Sequence, residues 1–162
     1  MSNELQALKT LAWEVNDLQS DLIELGNRIL RETGSFKSWV RSHLLGRSLP
    51  FHELSIQAST LVGKLNAQEV RLRTSEVAAS IPHGYSEFYD LLLSFTGALK
   101  ESAIILAENQ AAALEGAEGK KRVSFAQVRE GSIRYNQSMS RYMEVAASLQ
   151  PHLNQLFDGP VA

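Results

Sequence analysis

Four histidines, His43, His52, His83 and His152, are the side chains of this sequence best suited to bind a metal or pass a proton near neutral pH. A di-iron helical bundle needs inward-facing glutamates with Glu-x-x-His repeats, and a zinc hydrolase needs His-Glu-x-x-His. Neither spacing occurs, His-x-x-x-His is absent too, and there is no cysteine. Thiolate metal sites, disulfides and a cysteine nucleophile are therefore excluded. The polar residues that fall on otherwise apolar helical lines, Gln68, Ser75, Ser102, Asn109 and Ser132, are uncharged and suit register-setting hydrogen bonds better than proton transfer. No catalytic residue, metal or cofactor is expected.

Three short matches to known patterns remain. His52-Glu53-Leu54 resembles, over three residues, the phospho-acceptor box of sensor histidine kinases, which would imply phosphate uptake on His52. The basic residue and proline of that box are replaced by Ser55, Ile56 and Gln57. His43, close to Gly46, Arg47 and Ser48, is similar in residue types to a histidine phosphotransfer domain, with different spacing. Both also read as ordinary polar positions of amphipathic helices. Lys121-Arg122-Val123-Ser124-Phe125 resembles phosphatase docking peptides and has basic residues before a serine. A capping box, Ser124 with Gln127, accounts for the same residues as the start of a helix, with Val123 and Val128 as a hydrophobic staple.

Charge narrows the partner class. Sixteen cations against 18 anions give a net charge of −2, so no global field draws in nucleic acid or membrane. Locally, Arg28, Arg31, Lys37, Arg41 and Arg47 stand against Glu32 alone, with Phe36 and Trp39 between them. That is a candidate basic patch for nucleic acid or lipid. Residues 1–25 carry Glu4, Glu14, Asp17, Asp21 and Glu24 against Lys9, and could offset it.

The elements that must position these residues are helical. Leu8, Leu11, Val15, Leu18, Leu22, Leu25 and Ile29 alternate steps of three and four without a polar exception, predicting a helix from about Asn3 to Glu32 with Gly34 as a left-handed cap. A short amphipathic helix is expected at about 35–45, on Phe36, Trp39, Val40, His43 and Leu44. A second long helix should span Phe51 to Ser80, seamed by Leu54, Ala58, Leu61, Leu65, Gln68, Leu72, Ser75 and Ala79. A third should span Ser86 to Glu115, seamed by Phe88, Leu92, Phe95, Leu99, Ser102, Leu106, Asn109 and Ala113. After a charged, flexible turn at 116–122, a fourth starts at Ser124 and carries Phe125, Val128, Ser132, Tyr135, Met139, Tyr142, Ala146, Leu149, Leu153 and Leu156, with a kink or separate last turn at Pro151. The expected architecture is a single all-α domain over 1–162, an up-down-up-down four-helix bundle with the extra helix between helices 1 and 2.

Trp13 falls on the outer position f of the first heptad seam, and Ile23 and Leu30 share position b. Leu91, Leu93 and Ile104 lie off the third seam. One bundle core does not need all six, so they are expected to bind a partner or a second copy, a symmetric dimer being the default. The expected function is a non-enzymatic interaction protein, an adaptor, chaperone-like or scaffold subunit. Its alternatives are the phosphotransfer bundle and the basic-patch binder. The N-terminal MSNELQALKT lacks the basic start and apolar run of a signal peptide, which suggests the cytoplasm.

Overall fold

A computed structural model describes residues 3–34 and 49–158, all-helical apart from their connections. The helices are α1 (Asn3–Thr33), α2 (Phe51–Leu72), α3 (Ser75–Ala79), α4 (Ser86–Ala117) and α5 (Phe125–Asp158). The connector helix expected at 35–45 lies outside the described residues. No helix among those described is long and apolar enough to cross a membrane.

The first seam is confirmed. Leu8, Leu11, Val15, Leu22 and Leu25 are buried and Leu18 and Ile29 half-buried, all packed against the common core. Gly34 departs from expectation: its N–H donates to the Leu30 carbonyl at 3.0 Å, and positive φ occurs instead at Gly84 and Gly119, in the two turns that flank α4.

The second helix is shorter than its pattern predicts. Thr74 adopts an extended conformation and its hydroxyl accepts from the Val77 N–H, starting the separate helix α3. The same hydroxyl donates to the Arg71 carbonyl at 2.9 Å, and the Tyr89 hydroxyl donates to that of Leu72. Carbonyls left open at the end of α2 thus find partners, which lets the chain turn there. Ser75 and Ala79, expected on the seam, are exposed.

Helix α4 packs on α1, α2 and α5, which explains why it is apolar around its girth. Phe88, Leu92, Phe95, Leu99 and Leu106 are buried as predicted, and so are Ala103 and Ile105 on flanking faces. Contacts pair residues whose numbers rise on one helix as they fall on the other. Glu14, Asp21 and Arg28 of α1 meet Arg71, Lys64 and Glu53 of α2. Glu69 and Leu72 meet Lys100 and Tyr89. Phe95, Glu101 and Asn109 meet Tyr142, Arg141 and Gly131.

Helix α5 is rotated at its start relative to the predicted seam. Asn109 donates to the Gly131 carbonyl at 3.0 Å, and a Cβ at 131 would lie 2.4 Å from Asn109 Oδ1. This close seat turns Gly131 toward α4 and Ser132 outward, where its hydroxyl donates to the Val128 carbonyl of its own helix. The buried residues of α5 are then Gly131, Ser138, Tyr142, Leu149 and Leu156, and Ser132, expected on the seam, is exposed. Phe125 and Val128, expected on the seam, are exposed. The helix continues through Pro151 without a separate last turn.

The capping box forms in both directions. Gln127 N–H donates to Ser124 Oγ at 3.2 Å, and Ser124 N–H donates to Gln127 Oε1 at 2.9 Å. Ser124→Ala is expected to cost about 1 kcal/mol and Ser124→Asp much less. Thermal melting of the three proteins checks this, and equal midpoints for wild type and Ser124→Ala would refute the cap's contribution.

Candidate binding cleft

Trp13 leaves the first seam toward the outside and is 57% exposed, yet it is not isolated. Its ring and that of Phe157 form an edge-type pair, centroids 5.5 Å apart at 67°. Lys9 Nζ lies 5.4 Å from the Phe157 centroid, over the ring face where a cation is attracted by the quadrupole. The contact joins the start of α1 to the end of α5. Tyr135 makes the second approach between these helices, its hydroxyl 2.9 Å from where a Cβ on Gly26 would stand. Burial pushes the Tyr135 phenol up to about 12.

Beneath Trp13 and Phe157 the helices leave a cleft of about 450 Å³. Its floor is core: Ala12, Val15, Leu92, Phe95 and Leu149 are each buried. Four amides, Asn16, Gln19, Gln150 and Asn154, line it together with Asp158, its one ionisable lining residue. Gln150 donates to Asn154 Oδ1 at 2.9 Å. An apolar floor with amide donors and acceptors at its lip suits an apolar side chain carried on a peptide backbone. It offers no pair of titratable groups for acid–base chemistry. Among the described residues no three of His, Cys, Asp or Glu converge on a metal position.

The other candidates fall elsewhere. Ile23 and Leu30 are exposed on α1, and Ile104 is exposed on α4. Leu91 and Leu93, expected on a free surface, are half-buried and pack against the core, because α4 has three helical neighbours. The structure therefore does not gather the six residues into one patch. Phe157 was missed by the sequence reading, since it follows Pro151 and lies beside the predicted seam.

Arg28 does not face solvent as a patch cation. Its Nε donates to Glu32, Nη1 to Gln57 and Nη2 to Glu53, each at 2.9 Å, which ties α1 to α2. Hydrogen bonds to Glu32 and then Glu53 raise its already high pKa further. Arg31 lies 4.0 Å from Glu32. Lys37, Arg41, Arg47 and His43 lie outside the described residues. His52 is exposed in the first turn of α2, and its neighbour Glu53 is taken up by Arg28 and Gln57. Of the docking-like segment, Val123 sits against Gly116 and Ser124 is occupied as the cap, leaving Phe125 outside.

Comparison with protein-family models, with curated proteins and with solved structures finds no match to this chain.

Proposed function

We propose that this protein is a non-enzymatic helical interaction protein, and that the cleft between α1 and α5 takes an apolar side chain from a segment of a protein partner or of a second copy. The carrying observation is Trp13, a large ring more than half in water at the lip of a cleft floored by core residues. Large apolar rings beside a dry pocket are the usual anchors of protein interfaces. The scaffold in this reading is an up-down-up-down bundle of α1, α2, α4 and α5. The opposed numbering of their contacts supports it, and so does the meeting of Trp13 with Phe157 at one end and of Gly26 with Tyr135 nearer the other.

The test is photo-cross-linking in cells from a photo-reactive residue placed at 154, with the same residue at exposed Val70 as reference. A discrete product from 154, absent from 70 and lost in Trp13→Ala, is expected. Mass spectrometry of the product, with light scattering at micromolar concentration, separates a second copy from another protein. Identical products from both positions would overturn the proposal.

A further inference from the structure

A second surface lies at the opposite end of α5 from the Trp13 cleft. Every residue from Ser124 to Glu130 is exposed, so the first turns of α5 stand out from the helices beside them. Two of these residues are large and apolar: Phe125 is 83% exposed and Val128 57%. Helical spacing puts Phe125, Val128 and Arg129 on one face, and Lys121 and Arg122 precede it in the turn. Neighbouring cations are neutralised: Lys120 pairs with Glu118, and Arg134 with Glu108. Among the described residues Lys121, Arg122 and Arg129 form no ion pair, and Glu130 is the acid set among them.

We propose that this end of the molecule is a contact surface for anionic membrane lipid, with Phe125 and Val128 entering the headgroup region and Lys121, Arg122 and Arg129 meeting lipid phosphates. Three features favour that occupant. Protruding apolar side chains ringed by cations match an interface that is apolar below and anionic above. A second copy docked symmetrically would set these cations against one another. The segment projects, whereas capture of a partner's side chain calls for a concave seat like the one under Trp13. The net charge of −2 does not oppose this, since screening confines attraction to charges within about 10 Å of the surface.

Co-sedimentation with vesicles of phosphatidylcholine alone, and of phosphatidylcholine with phosphatidylserine, tests the proposal. Binding is expected only with phosphatidylserine, weakening as salt is raised. Phe125→Ala should lower the partition coefficient about tenfold, as loss of one inserted ring implies. Arg122→Glu with Arg129→Glu should lower it about thirtyfold or more. Val70→Ala, which trims an exposed apolar residue of α2, should change nothing. Circular dichroism melts of all variants check that folding is retained. Equal binding to both vesicle types, or equal loss in Val70→Ala, would overturn the proposal. So would binding to polyglutamate without binding to anionic vesicles, which would point to an acidic protein instead.

Discussion

Lys100→Met is expected to lower the unfolding free energy by about 2 kcal/mol, less than the roughly 3–5 kcal/mol of breaking a fully buried ion pair. Glu69 is buried between α2 and α4, with Oε2 held by the Lys100 ammonium and Oε1 by Arg73 Nε and Nη2 at 3.2 and 3.0 Å. Removing Lys100 strands one carboxylate oxygen away from water, while Arg73 keeps the other. Glu69→Leu combined with Lys100→Met removes both charges and should recover most of the loss. The carboxyl of Glu69 is held below the usual range by the Lys100 hydrogen bond first and by Arg73, against burial, which acts the other way. A folded pKa below the unfolded one gives stability that is fully present above the unfolded value and is lost as the pH falls through the folded value. Wild type should therefore weaken on acidification across that window more steeply than the double variant. Urea titrations at a series of pH values measure both effects, and parallel pH profiles would show that the clamp contributes nothing.

What was legible in the sequence was local. The α1 seam could be read because none of its seven positions is polar, so rotation of that helix had one apolar solution. The Ser124–Gln127 cap could be read because both partners lie within one turn. The features that escaped depend on groups far apart in the chain. Ser75 and Ala79 continue the α2 pattern, but such small residues say little about burial, and the break is set by Thr74 and by Tyr89 of another helix. Arg28 looks like one cation of a basic run until Glu53 and Gln57 are brought to it from α2. Buried Thr96, Ser102 and Ser138, of which Ser102 was read as setting register across the bundle, donate instead to carbonyls of their own helices. The cleft escaped for the same reason, because Trp13 is an outward residue until the far end of the chain returns to it.

Two phenylalanines on predicted seams measure this distinction directly. Phe88 and Phe125 each stand at the start of a heptad line, and the sequence treats them alike. Phe88 is 1% exposed and belongs to the core of α4, so Phe88→Ala opens a cavity and should cost about 3–5 kcal/mol. Phe125 has no buried neighbour on its own turn, because the Asn109 seat on Gly131 fixes the rotation of α5 nearly two turns later. Phe125→Ala should therefore change stability by no more than about 0.5 kcal/mol. Denaturant titrations of the two variants give both numbers. A cost for Phe125→Ala comparable with that of Phe88→Ala would mean that α5 begins inside the core, as its seam predicts, and would remove the protruding surface on which lipid contact depends.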